Sequence, residues 1–244
     1  NLLEVSDLAQ AVTKNLGGFY QFGPESALVN GRWLGIPYFW ISLPSSYRKD
    51  LFDQIGEKPP ETWEDLLRAG KPLKKLGHPV GVAISQCTDA VQSMLSILWS
   101  YGGKVMQADG STIALNSQET AESVEYVKVL YNETMEPEVL SWDNAGNNRF
   151  MTAGKSSWIQ NPASHYITAK MSKLKIADQI YFHQTPAGPH GRHTVVNLRS
   201  MGVWKFSKAV DLSKDLIQHL FNEERYIDYV TSSDNYNHPN FHEI

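Results

Sequence analysis

The chain has 244 residues, 41% of them hydrophobic and 20% charged. That balance fits one or two folded domains and excludes disorder along the whole length. The 22 Lys and Arg against 26 Asp and Glu leave a net charge of −4, so no basic field exists to grip a phosphate backbone, and general nucleic-acid binding is disfavoured. Cys87 is the only cysteine. An intramolecular disulfide and a cysteine-rich zinc site are therefore excluded, and Cys87 is expected as a small buried hydrophobe. No apolar run reaches the ~20 residues of a membrane span. The chain opens at Asn1 rather than at methionine and ends at His242-Glu243-Ile244, so the expectation is a piece of a longer protein.

Val5, Leu8 and Val12 predict a short amphipathic helix before Gly17-Gly18. Residues 27–37 read as a hairpin around Asn30-Gly31, the pair that best supplies positive φ at both turn positions. An apolar extended run follows over 36–43, then helical spacing over 47–52. Thr62, with Asp65 three residues on, predicts a helix start. That helix is expected to run towards Leu76, kinked or split by Gly70 and Pro72. Residues 80–85 predict a buried strand. Residues 89–101 predict a helix with Val91, Leu95 and Leu98 inward, closed by Gly102-Gly103. Asp109-Gly110 signals a turn. Ser117 caps a long helix with Ala121, Val124, Val127 and Tyr131 in line. Beyond it come a helix near 144–153, a strand at 157–160, a helix at 163–176, strands near 179–184 and 194–205, and an amphipathic helix at 212–230 with Leu216, Leu220 and Ile227 inward. Alternating strands and helices give an α/β class.

Several chemistries fail on spacing. Gly154-Lys155-Ser156 mimics a phosphate loop, but the required earlier glycine is Arg149. No Gly-x-Gly-x-x-Gly and no Gly-x-Ser-x-Gly occurs. His183, His190 and His193 lie about a Pro/Gly turn, and His238 and His242 flank Pro239. Solvated loop histidines are expected there rather than metal ligands. Glu61, Glu64 and Asp65 are explained by the helix start. Asp143 remains the most interesting acid, with helix capping as its expected role. No metal or cofactor is predicted.

Aromatics are abundant, with 7 Trp, 11 Tyr and 9 Phe. Rings stack on the apolar faces of sugars while nearby amides and carboxylates bond the hydroxyls. Both features meet in Trp142-Asp143-Asn144-Ala145-Gly146-Asn147-Asn148-Arg149 and in residues 158–166. Trp40, Trp142 and Tyr166 are weighed evenly between site and core; Trp63, Trp99 and Trp204 are expected as core.

The order of these segments resembles the extracellular solute-binding proteins of ABC importers, in the carbohydrate-carrying group that includes maltose-binding protein. The pieces are Gly31-Arg32-Trp33-Leu34-Gly35-Ile36-Pro37-Tyr38, Tyr47-Arg48-Lys49-Asp50-Leu51-Phe52, Lys58-Pro59-Pro60-Glu61-Thr62-Trp63-Glu64-Asp65-Leu66, Gly102-Gly103, Phe150-Met151-Thr152-Ala153-Gly154-Lys155, Thr185-Pro186-Ala187-Gly188-Pro189 and Gly202-Val203-Trp204-Lys205-Phe206-Ser207-Lys208. The resemblance implies a two-lobed type II periplasmic-binding-protein fold, truncated at both ends. Residues 1–42 and 200–244 would be parts of the amino-terminal lobe. Residues 43–199 would be the carboxy-terminal lobe, with hinge crossings near 38–44 and 195–202.

It implies a carbohydrate, polyol or sugar acid bound between lobes and passed to permease subunits. It implies a monomer outside the cytoplasm, periplasmic or membrane-anchored. By position, Gln86, Thr88 and Asp89 follow one ligand-bearing strand, and Asn161, Ser164, His165 and Tyr166 follow another. Tyr38, Trp40, Asn197 and Arg199 sit at the crossings, and Trp142, Asp143, Asn147 and Asn148 complete the set. Arg199 is left open between pairing a sugar acid and pairing an acid of the protein. Tyr166 is the only ring in a turn that carries a stacking tryptophan in maltose-binding protein, which implies a different sugar preference. The alternatives are a carbohydrate-active enzyme using Asp143 and a sensory ligand-binding module.

Overall fold

The structure is a computed structural model describing residues 1–234 and 236–244. In chain order its elements are α1 (Ser6–Leu16), β1 (Leu28–Val29), β2 (Arg32–Trp33), β3 (Ile36–Ser42), β4 (Ser45–Arg48), α2 (Lys49–Gln54), α3 (Trp63–Lys75), α4 (Thr88–Ser100), α5 (Gln118–Thr134), α6 (Gly146–Thr152), β5 (Trp158–Gln160), α7 (Ser164–Met171), β6 (Ile180–His183), β7 (Ala187–Gly188), β8 (Gly191–Arg192), β9 (Val196–Met201), α8 (Val210–Leu220), α9 (Glu223–Ser232) and β10 (His238–Pro239). They form two compact units, Asn1–Ser42 with Val196–Ile244, and Leu43–Val195. The second boundary precedes residue 200 because β9 pairs along β3, Ile36 opposite Met201 and Ser42 opposite Val196. Among the described residues no helix is long and apolar enough to cross a membrane.

In the first unit, β3 is flanked by β9 and β10, both antiparallel to it. The predicted hairpin forms, Leu28 opposite Trp33, with Asn30 and Gly31 at φ 51° and 75°. Leu8, Val12 and Leu16 of α1 enter the core with Ile36, Phe221, Tyr226 and Phe241. The expected helix over 212–230 is two helices, α8 and α9, joined at Phe221-Asn222. Ile217, Tyr226 and Val230 face inward, whereas Leu216 and Ile227 are exposed. Trp204, expected in the core, is exposed and stacks on Phe206.

In the second unit β4 is central, antiparallel to β5 and β6. Among the described residues the 80–85 stretch makes one isolated bridge, Val80 to Trp158, so it is not a full strand. The Thr62 cap is as expected. Its hydroxyl accepts from Asp65 N–H at 3.1 Å, and the Asp65 carboxylate accepts from Thr62 N–H at 3.0 Å. Thr62→Ala is expected to lower stability by about 1 kcal/mol, read from the urea midpoint. α3 is not split, and one helix runs Trp63–Lys75 through Gly70 and Pro72. Gly70 serves close packing: a Cβ there would lie 2.8 Å from Thr134 Cγ2. Pro72 removes one N–H, yet its own carbonyl still receives Leu76 N–H at 3.1 Å.

The inward faces of α4 and α5 also differ from the apolar periodicity. Ser93, Ser96 and Ser100 are buried on α4, and Ser123, Tyr126, Leu130 and Thr134 on α5. Hydroxyls make this possible by bonding back to the preceding turn, as Ser96 does to Gln92 O, Ser100 to Ser96 O and Thr134 to Leu130 O. Leu98 is buried as expected, whereas Val91 and Val124 are exposed and line, with Leu95, Leu98 and Val127, an apolar groove of about 500 Å³.

Candidate functional site

Polar side chains of the second unit converge where α4 begins, α6 begins and β5 turns into α7. Gly146 lets the 142–148 turn close, since a Cβ there would lie 2.4 Å from the Trp142 ring. Asn147 is buried and donates to Asp89 Oδ2 at 3.1 Å and to Asn161 Oδ1 at 3.2 Å. Its own Oδ1 accepts from Asn148 N–H at 2.7 Å. Asn161, also buried, donates to Asn148 Oδ1, to Pro162 O at 3.0 Å and to Ser164 Oγ at 3.2 Å. Asn148 donates to the same Ser164 Oγ at 3.0 Å. Asn144 accepts from the backbone N–H of Asp89 at 3.2 Å.

Burial pushes the Asp89 carboxyl above its ordinary range. The Asn147 amide opposes this, and the nearby Asp143 charge adds to it. Asp143 itself is exposed. Arg149, 2.7 Å away, holds it below the usual carboxylate range, helped by Ala145 N–H at 3.1 Å. It acts as a turn cap with an ion-pair partner. Gln86, Thr88, Asp143 and Asn144 border an open hollow beside Cys87, which is half-buried rather than buried.

His165 is fully buried, its Nδ1 3.2 Å from Pro162 O. Its Nε2 is buried with no hydrogen-bond partner among the described residues. Burial pushes its pKa down to about 4, against the Pro162 carbonyl. His165 therefore supports the turn rather than facing solvent. Tyr166 is half-buried, edge-on to Phe182 with Lys170 over its ring. Trp142 packs on Phe150, centroids 5.0 Å apart, at the core's rim.

Of the residues expected at the crossings, Tyr38 is a core residue stacked on Tyr229. Trp40 stacks on His238, centroids 4.3 Å apart, and donates to Pro239 O at 2.8 Å. Directly opposed strand residues share a face. Arg199 opposes Phe39, Asn197 opposes Ile41 and Trp40 opposes Leu198, so the sheet sets Asn197 and Arg199 on the face away from Trp40. Sequence reasoning missed Phe39 and Ile41 on the Arg199 face, and Asn144 in the second unit. Strand alternation from Trp40 would have found the first two.

The expectation of solvated histidines fails at two places. His183 is largely buried and accepts from Trp158 Nε1 at 2.8 Å, and His238 is half-buried against Trp40.

Residues 2–242 match the family model described as bacterial extracellular solute-binding protein. A curated relative from Brucella abortus (strain 2308), described as a binding protein, is 25% identical over 216 residues, 85% of this chain and 51% of its own. An uncharacterised extracellular-binding protein of an ABC transporter in Pyrococcus horikoshii is 29% identical over 93 residues, 34% of this chain and 21% of its own. The chain thus spans about half the length of the Brucella relative. Among solved structures, maltose-bound MalE3 of T. maritima superimposes with TM-score 0.87 at 22% identity, covering 99% of this chain and 62% of that one. A solute-binding protein of Agrobacterium radiobacter K84 in complex with ribitol gives 0.83 at 19% identity, covering 98% and 62%. With the family model matched almost end to end and the fold shared, the chain belongs to the bacterial extracellular solute-binding protein family.

Proposed function

We propose that this chain is the ligand-binding part of an ABC importer's solute-binding component and that it takes a carbohydrate or polyol. The observation that carries the reading is the cluster of Asp89, Asn147, Asn148, Asn161 and Ser164, a concentration of hydroxyl-bonding groups in one unit. Such groups fix the orientation of a polyhydroxyl ligand. In this reading the two units are the amino- and carboxy-terminal lobes, joined by crossings at 38–44 and 195–202. The protein works as a monomer in the periplasm or anchored at the cell surface. It releases its ligand unchanged to permease subunits, and Gln86, Thr88 and Tyr166 add ligand contacts.

A thermal-shift panel containing maltose and ribitol tests this. A ligand at ~100 times its dissociation constant adds about 2.7 kcal/mol of stability. A shift by a sugar or polyol that is recovered unconsumed supports the reading. Consumption of the sugar, or no shift across the panel, overturns it.

A further inference from the structure

We propose that the end of α7 and the turn after it form a docking surface for an anionic lipid membrane, with Lys155, Lys170, Lys173 and Lys175 meeting lipid phosphates and Met171 and Leu174 entering the headgroup layer.

Charge is segregated along the chain. Residues 118–143 carry seven acids and one cation, Lys128, whereas residues 144–177 carry Arg149, these four lysines and no acid. The fold then gathers the lysines. Residues 170–175 are six consecutive exposed positions. Lys155 joins them because Gly154 lies against Ile176, where a Cβ on the glycine would be 3.5 Å from Ile176 Cδ1. Among the lysines Met171 is 80% exposed and Leu174 40%. Two acids border the patch. Asp178 is exposed on the 3₁₀ turn Lys175–Gln179, and Asp50 is held by Arg48 at 2.5 Å. Four lysines against these two leave the patch positive.

Lys173 is the informative residue. α7 closes with Lys173 N–H donating to Lys170 O at 3.0 Å and Leu174 N–H to Ala169 O at 2.9 Å. Glycine is usual at such a closure because φ is positive there, and Lys173 has φ 53°. The other non-glycine residues with positive φ among the described residues are Asn30 and Asp234, types whose short polar side chains tolerate it. A lysine Cβ is strained in that region. The negative end of the helix is already met by Lys170 in its last turn. What lysine adds over glycine at 173 is a cation beside two exposed apolar side chains.

That combination fits a membrane surface. Lysine stems reach phosphates while Met171 and Leu174 leave water for the boundary between headgroups and acyl chains. An acidic protein surface would pair the lysines but set Met171 and Leu174 against charge. Each lysine near an anionic surface strengthens binding about fivefold, so the attachment is reversible and loosened by salt. In the transport reading it would keep the protein near its permease between deliveries.

The test is sedimentation of the whole chain with vesicles of phosphatidylcholine, alone or with equal parts phosphatidylglycerol, at about 20 mM and about 500 mM salt. Binding is expected only to the vesicles with phosphatidylglycerol, and only at low salt. K170Q/K173Q/K175Q should weaken it about a hundredfold, and M171S/L174S about tenfold. K58Q/K75Q/K104Q removes the same charge from exposed positions on other segments and should change it little. K173G should raise the urea midpoint, by relieving the strained φ, yet weaken vesicle binding about fivefold. A lysine with a merely structural role would not give that pair of results. Equal weakening by the two lysine triples, undiminished binding of M171S/L174S, or equal binding to phosphatidylcholine alone overturns the proposal. Absence of binding to either vesicle at low salt also overturns it, and leaves an acidic protein as the partner to seek. The experiment contains no sugar, so its failure leaves the carbohydrate reading standing.

Discussion

The second unit is expected to lose much of its stability between pH 6.5 and pH 4, through His165 and His183. Both are held neutral, with pKa values pushed down to about 4 chiefly by burial. For His183 the Glu61 charge and the Gln184 backbone oppose burial, and Arg192, which pairs with Glu61 at 2.7 Å, reinforces it. In the unfolded chain both rings recover their ordinary value near 6.5. Below that pH the unfolded state takes up protons that the folded state refuses, so stability falls as pH falls. Each histidine costs about 1.4 kcal/mol per pH unit, or about 3 kcal/mol by pH 4. Below pH 4 the folded rings charge as well, and the loss stops growing.

Carboxylates held low, such as Asp65 beside Arg68 and Asp109 at about 2, lose their contribution in a more acidic window. Asp89, held high, has the opposite sign and returns a little stability on acidification. The check is urea denaturation at pH 7.5 and 4.5 on the native chain and on H165N/H183Q. Asn keeps the donor to the Pro162 carbonyl, and Gln keeps an acceptor for Trp158. The double variant is expected to recover about 5 kcal/mol of the acid loss. Equal losses in the two proteins would refute the assignment.

What the sequence disclosed and what it hid separate along a physical line. Signals carried by backbone chemistry held: Asn30-Gly31 made its turn, and Thr62 with Asp65 made a capping box. Both depend on residues within a few positions of each other, which a linear reading sees. Apolar periodicity misled on α4 and α5, because serine hydroxyls satisfied within the helix can be buried while Val91 and Val124 stay outside. Gly70 looked like a break because its reason, Thr134, lies far along the chain. His183 looked solvated beside a Pro/Gly turn because its partner, Trp158, is on another strand. In the candidate site, the run 142–149 and the turn after β5 were legible as polar segments. That Asn147 and Asn161 meet, with Asp89 at one end and Ser164 at the other, depends on how α4, α6 and α7 come together. The placement of Trp40 on the opposite face to Arg199 follows from strand register, which no local motif encodes.

Replacing Trp158 should have the largest single effect on the second unit and should also report on His183. The indole is fully buried, edge-on to Trp63 with centroids 6.2 Å apart, on the strand beside β4. Trp158→Ala removes a ring from a close-packed core and is expected to cost about 3–5 kcal/mol at pH 7.5. Trp158→Phe keeps most of the volume and deletes the N–H that His183 Nε2 accepts. That hydrogen bond exists only while Nε2 is unprotonated, so it favours the neutral ring. Without it the His183 pKa should rise from about 4 towards its ordinary 6.5.

The sign then follows by linkage. A folded pKa nearer the unfolded one leaves less stability to lose on acidification. Trp158→Phe should therefore be less stable than the native chain at pH 7.5, and the two stability curves should converge towards pH 4.5. The ring proton of His183, followed by NMR titration, gives the pKa directly, and urea midpoints give the stabilities. An unmoved His183 pKa in Trp158→Phe would show that burial alone holds the ring neutral and that the indole N–H contributes only packing geometry.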